Sequence, residues 1–329
     1  MTFTEGLKTV PQDMVIRSFQ PGDEELLPEL WNLCLVSDPV SPERFCERVL
    51  LDPNFEPEGL LVAEQGTRLI GFVLAVVRRV PWPGGRDDAD RGWITAIGVH
   101  PGWRRQGVGS ALLQRAFVFF RSRERRPILV SQYSPNYFLP GVDEEAYPRA
   151  LIFFKHHGFQ ESARVVAMER NLLTWTGLPD SVLDLKHRLG AEGIQVSHLS
   201  RRLLVPLLQF AENKFGPDWA RAVRDGLLRG GPPERVLVAH AGDQVIGYCM
   251  YGLYDRPVER FGPFGVDPAW RGKGIGKLLL YLCLQEMRRQ GLQNAWFLST
   301  VEESPAGNLY RQAGFHTTRR FRMLRADLT

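Results

Sequence analysis

Two sixteen-residue stretches of this 329-residue chain are near-copies of one another. Residues 98–113 read GVHPGWRRQGVGSALL, residues 265–280 read GVDPAWRGKGIGKLLL, and nine of the sixteen positions are identical. The matches include Val99/Val266, Pro101/Pro268, Trp103/Trp270, Arg104/Arg271, Gly107/Gly274 and Gly109/Gly276. A repeat of this quality, with its copies far apart, means two related domains. The length suits two domains of roughly 150 residues, each able to bury its own core. In both copies an apolar run ends at Val, and Pro stops the strand. Arg-x-x-Gly-x-Gly follows, and a Leu-rich helical pattern begins at once. Glycines there let the backbone turn tightly and approach a ligand without a Cβ in the way. The free N–H groups of the helix's first turn, at the positive end of its dipole, face that ligand. Such a nest suits a pyrophosphate.

The order of elements repeats as well. Residues 1–12 read as a loose leader. In each half a strand and two helices come first (residues 14–45, then 194–228). A hairpin, the strand entering the loop, a helix, a strand, a helix and a closing strand follow. The hairpin ahead of the loop-bearing strand makes each sheet mixed rather than purely parallel, so the fold class is α/β with α+β-like mixed sheets. The expected domains are 13–172 and 193–329, with residues 173–192 as a linker whose helix starts at Pro179. The first half is about eleven residues longer between its loop and its Gly158-Phe159 pair than the second is before Gly314-Phe315. The surplus falls in residues 132–147, QYSPNYFLPGVDEEAY, an aromatic and Pro/Gly-containing insert expected to be an ordered loop packed on another element, with the other domain as the candidate.

Composition narrows the function classes. The net charge of +4 demands no polyanion, and no basic run alternates with aromatics, so a nucleic-acid partner is not expected. Cys34, Cys46, Cys249 and Cys283 lack the paired spacing of a metal site and read as free thiols of a reducing compartment. No metal is expected. The N-terminus has no basic, apolar leader pattern and no run is long enough to span a membrane, which points to a cytoplasmic protein without a membrane partner.

Strand, Val-x-Pro-x-x-Arg-x-x-Gly-x-Gly, helix, strand, helix and Gly-Phe is the order of the GNAT N-acetyltransferases, and both halves resemble that superfamily over nearly the whole chain. The resemblance implies two tandem GNAT-like domains whose loops hold the pyrophosphate of acetyl-CoA as co-substrate. The loop residues would be Arg271, Gly272, Lys273, Gly274, Ile275 and Gly276 in the second half, and Arg104, Arg105, Gln106, Gly107, Val108 and Gly109 in the first. The strand before the loop would splay and pair with the pantetheine arm through Phe264 and Val266, or through Ile97 and Val99. Ser304, with Glu303, stands where the family commonly has an Asn that touches the arm.

The resemblance also implies a tyrosine four residues before the Gly-Phe glycine, which protonates the departing thiolate. In the second half this is Tyr310; in the first it is Phe154, which has no proton to give. The first half then reads as degenerate, as a holder of CoA without turnover, or as borrowing Tyr133 or Tyr147. Glu259 is the candidate base, with Glu302 and Glu303 as alternatives. Together with Asp255 these acids suit a cationic amine. His156 and His157 fit a helix C-terminus, where their charge complements the dipole. The expected activity is acetyl transfer to the primary amine of a small molecule, at the C-terminal domain of a monomer or weak homodimer. The alternatives are a non-catalytic acyl-CoA sensor and a protein acetyltransferase. An insert (residues 132–147) that roofs the C-terminal half's site would favour a small-molecule substrate, and one lying away from it would let a peptide enter.

Overall fold

The structure, a computed structural model, describes residues 11, 13–81, 88–254 and 257–328. Of the expected leader it therefore includes only Pro11 and nothing earlier. The chain divides into two compact units. The described residues of the first are those up to Pro81, 88–164 and 321–328; the second holds those of 165–320.

The first unit opens with β1 (Met14–Ser18), α1 (Asp23–Cys34) and α2 (Pro42–Phe45), which runs on into a π turn at Cys46–Leu50. Ser41 caps α2 by accepting the Arg44 amide at 3.2 Å, with Pro42 in the first turn. β2 (Leu60–Gln65), β3 (Arg68–Val77) and β4 (Gly92–Val99) continue the sheet antiparallel. After α3 (Val108–Ser122), β5 (Pro127–Val130) joins β4 in parallel, and β6 (Val142–Asp143) and α4 (Pro148–His156) follow. From Leu69 onward β3 is apolar without a break because both its faces are covered. Val73, Ala75 and Val77 pack with Leu112, Leu113 and Phe120 of α3, while Phe72, Leu74 and Val76 pack with Leu27, Leu30 and Trp31 of α1.

In the second unit, residues 166–171 of β7 (Gln160–Asn171) and α5 (Asp180–Ala191) precede β8 (Ile194–His198). Helices α6 (Arg201–Phe215) and α7 (Pro217–Leu228) are followed by β9 (Val236–Ala241), β10 (Gln244–Tyr251) and β11 (Phe261–Val266). These strands form an antiparallel sheet in the order β11-β10-β9-β8. Then come α8 (Ile275–Arg289), β12 (Asn294–Thr300), α9 (Pro305–Gln312) and β13 (His316–Asp327). β12 pairs antiparallel with β7, from Asn294↔Asn171 to Thr300↔Val166.

The units depart from the boundaries 13–172, 173–192 and 193–329. The end of β7 belongs to the second unit because it pairs with β12. The end of β13 belongs to the first: Leu324–Asp327 pair with β5, Phe321 and Arg322 pair with β6, and Leu324 and Ala326 enter the core beneath α3. Each repeat thus hands its closing strand to the unit built mainly from the other. Residues 173–192 are not a bare linker. Val182, Leu185 and Leu189 of α5 are buried with Ile275, Leu278 and Leu279 of α8, in one core.

The insert is ordered within the first unit. Tyr133, 1 % exposed, donates to Asp52 at 2.8 and 2.9 Å and accepts from Asn54 at 2.8 Å. Asn136 also donates to Asp52, Arg48 binds the Tyr137 carbonyl, and Phe138 lies 4.6 Å from Trp31, centroid to centroid. Tyr147 donates to Asp38 at 2.7 Å.

Deleting residues 321–329 strips β5 of its antiparallel partner and the first unit of the Phe321, Leu324 and Ala326 side chains, a loss of about 5 kcal/mol. Hydrogen exchange should then accelerate in β4 and β5 while β9 and β10 keep their protection. Tyr133→Phe leaves the buried Asp52 short of a donor and should cost the first unit about 1–3 kcal/mol, read from exchange of the same peptides.

Candidate functional site

Each copy of the repeated motif builds the same local device. A short 3-10 turn follows the strand, at Pro101–Trp103 and Pro268–Trp270. It is pinned by the side chain before it: His100 Nδ1 accepts the Gly102 amide at 3.1 Å, and Asp267 Oδ1 accepts the Ala269 amide at 3.0 Å. That explains why His and Asp interchange here, since both can accept. The backbone then turns through Gly274 at φ 89° into α8, and through Gly107 at φ 80° into α3. Neither helix has a side-chain cap, so the first-turn amides of Ile275, Gly276 and their neighbours keep their donors free at the positive pole. Ile275 and Val108 bury their own side chains in the cores and offer only backbone. Arg105 adopts φ 63° where the second copy has Gly272 at φ 82°.

The strands beside the loops part. Among the described residues, β12 meets the chain at the entry to β11 through one parallel bridge, Arg260↔Trp296, with the Trp296 amide on the Glu259 carbonyl at 3.1 Å. In the first unit β4 and β5 pair only over Gly92–Ile94. The Asp267 amide donates to Ile246 on β10 at 2.9 Å, so by alternation the peptide groups of Val266 and Phe264 face the open edge. The His100 amide bonds Ile70 likewise, which turns Val99 and Ile97 outward in the first unit. There the edge is partly taken, because Arg104 Nε donates to the Val99 carbonyl at 3.0 Å and Nη2 to the Cys34 carbonyl at 3.2 Å. Arg271 is exposed and makes no side-chain hydrogen bond or ion pair among the described residues. A Cβ on Gly276 would lie 3.4 Å from Phe264 and 3.6 Å from both Val266 and Leu309, which puts this glycine at the gap between β11 and α9.

Tyr310, on α9, stands where β11 and β12 separate. Its ring is 4.5 Å from Phe297 on β12, and 6.1 and 6.0 Å from Phe261 and Phe264 on β11. The residue is 7 % exposed, and its hydroxyl has no hydrogen-bond partner among the described residues. Burial holds its pKa well above that of a free phenol. In the first unit Phe154 occupies the matching position, 2 % exposed against Phe159. Tyr133 and Tyr147 have committed their protons to Asp52 and Asp38. His157 sits beside Ser110 at 3.0 Å, and burial with the neighbouring His156 depresses its pKa.

The carboxylates differ. Glu259 is half-buried, and its side chain makes no hydrogen bond or ion pair among the described residues. Glu302 is engaged by Thr317 at 2.9 Å and Arg320 at 3.1 Å. The Glu303 side chain is 83 % exposed beside Arg311, and Asp255 lies outside the described residues. Ser304 caps α9: its hydroxyl accepts the Gly307 amide at 3.1 Å and donates to the Val301 carbonyl at 2.6 Å. Among the described residues, no group of three or more His, Cys, Asp or Glu could hold a metal, and no helix is long and apolar enough to cross a membrane. The site neighbours that sequence reasoning missed are on α5, where Leu185 and Arg188 lie against the second loop. Their signal was present in the Val182-Leu185-Leu189 spacing, which marks a helix with a buried face.

The pattern that describes the Acetyltransferase (GNAT) family matches residues 25–137 and again 204–315. The mycothiol acetyltransferase of Thermobifida fusca is 26 % identical over 291 residues, 77 % of each chain. Among solved structures, a glucosamine N-acetyltransferase region of a fungal multi-domain GH3 β-N-acetylglucosaminidase superposes with a TM-score of 0.79 at 19 % identity. That match covers 96 % of this chain and 38 % of the fungal one. A GCN5-related N-acetyltransferase from Sphaerobacter thermophilus gives 0.69 at 19 % identity over 97 % of both chains. With two matches that together span most of its length, this chain belongs to the GNAT acetyltransferase family and carries the family's domain twice in tandem.

Proposed function

We propose that the protein is a cytoplasmic N-acetyltransferase that moves the acetyl group of acetyl-CoA to the primary amine of a small molecule, and that the second unit does the chemistry. The observation that carries this reading is the Tyr310 hydroxyl, kept protonated by burial and without a hydrogen-bond partner among the described residues, beside the parted strands β11 and β12. The amides of residues 271–276 hold the pyrophosphate at the uncapped start of α8, with Arg271 adding charge. The outward peptide groups of Phe264 and Val266 pair with the pantetheine amides. The amine nitrogen attacks the thioester carbon in a ternary complex, the C–S bond breaks, and Tyr310 gives its proton to the leaving thiolate. Glu259, directly or through a water, takes the proton that the attacking amine loses. Kinship with a mycothiol acetyltransferase supports a small, polar amine.

The first unit lacks an acid at Phe154, and its outward carbonyl at Val99 is engaged by Arg104. In this reading it is a scaffold, and the protein acts as a monomer. A second reading, transfer to a lysine side chain or a peptide N-terminus, is favoured by one observation. The insert, a candidate roof for a small-molecule pocket, is anchored in the first unit's own core by Tyr133, Asn136 and Phe138.

Calorimetric titration should find one acetyl-CoA site per chain. Gly276→Leu, which fills the gap beside Phe264 and Leu309, should abolish it, and Gly109→Leu should leave it intact. Two sites, or loss through Gly109→Leu, would sink the assignment to the second unit. Tyr310→Phe should keep acetyl-CoA affinity within about twofold and lower kcat by roughly 10²–10⁴-fold, followed as CoA thiol release with small primary amines and with peptides in parallel. Because burial raises the Tyr310 pKa, wild-type activity should not decline through loss of this proton on the alkaline side up to about pH 10, where a free phenol ionises.

A further inference from the structure

Helix α5 has no counterpart among the described residues of the first unit, and one of its faces lies along the second loop. Ser181, Leu185, Arg188 and Glu192 recur at spacings of four, three and four, which puts them on one side of a helix and its C-cap. Ser181 Oγ is 3.4 Å from Lys277 Nζ, on the first turn of α8. The Leu185 methyls lie 2.9 and 3.0 Å from where a Cβ on Gly274 would be, so the helix closes the back of that turn. Arg188 Nη2 donates to the Lys273 carbonyl at 3.2 Å, and Glu192 pairs with Lys273 Nζ at 3.1 Å. The first loop is held differently. Its Gln106 folds back on the Gly102 carbonyl at 3.0 Å, and Ser110, in the place of Lys277, faces His157.

We propose that Arg188 is a positioning residue for the second unit's nucleotide loop, holding the amides of residues 273–276 in their binding geometry through the Lys273 carbonyl. The proposal rests on the reading of that loop as the acetyl-CoA site. A loop with positive φ at Gly272 and Gly274 is costly to order, because glycine has the most freedom to lose. A bond that fixes the peptide between those glycines before the ligand arrives removes part of that cost from binding. Arg188 acts from behind: it engages a carbonyl, whereas the ligand is read by N–H groups. Its effect therefore does not depend on which phosphates the ligand carries.

The test combines hydrogen exchange of the unliganded full chain with titration of acetyl-CoA and of its 3′-dephospho analogue. Arg188→Ala should speed exchange in peptides covering residues 271–277 and leave β9 and β10 unchanged. It should weaken both ligands by the same factor, about five- to twenty-fold. Arg188→Lys, which keeps a donor, should recover part of the affinity. Affinities within twofold of wild type, or unchanged loop exchange, would overturn the proposal. So would a loss confined to acetyl-CoA, which would put Arg188 on the 3′-phosphate. A wild-type chain that binds neither ligand would bring down the acetyl-CoA reading itself, and the brace with it.

Discussion

Where β11 and β12 part, backbone groups that a continuous sheet would pair are left facing an open edge. A polar backbone group without a partner is costly once water is excluded, so each unit must offer its open edge something to bind. In the second unit the edge stays open. The peptide groups of Phe264 and Val266 point outward, Gly276 keeps the gap clear, and the first turn of α8 is uncapped. In the first unit the chain answers partly from within. Arg104 folds onto the Val99 carbonyl, and the insert, through Tyr133 and Phe138, is built into the face formed by α1, β3 and β4.

The two solutions differ in how easily they can be reversed. The Arg104 bond to Val99 is exposed, so water can take its place when the side chain swings away. The insert is another matter. Asp52 is buried and takes donors from Tyr133, Asn136 and the Asn54 backbone, so withdrawing the insert would leave a buried carboxylate with only the Asn54 amide of these three. The divergence of the first repeat is thus written mainly in its packing, with Phe154 as its chemical mark.

What was legible in the sequence was whatever leaves a local trace. Gly107, Gly274 and the proline turns before them mark the loops because few other residues tolerate that backbone. Phe154 against Tyr310 emerged once the copies were laid side by side. Arg105 shows the limit of such traces: it adopts a left-handed conformation with no glycine to announce it. The partners of β7 and β13 left no trace at all. Residues 165–171 and 321–328 have good strand patterns, but alternation says which side chains face inward and nothing about which sheet receives the strand. The same holds for α5, whose apolar spacing was readable while its contact with a loop some 85 residues away was not.

That exchange gives the first repeat a structural role beside the second repeat's motif. β12 lies beside Tyr310 through Phe297, and the strand that pairs with β12 is the closing strand of the first repeat. The helix that backs the second loop also comes from the segment between the repeats. A fragment that starts at residue 193 would therefore keep the motif, the tyrosine and the loop, yet lack the partner of β12 and the support behind Gly274. Motif boundaries enclose the repeated residues, whereas fold boundaries enclose what holds them still, and in this chain the two differ by one strand and one helix.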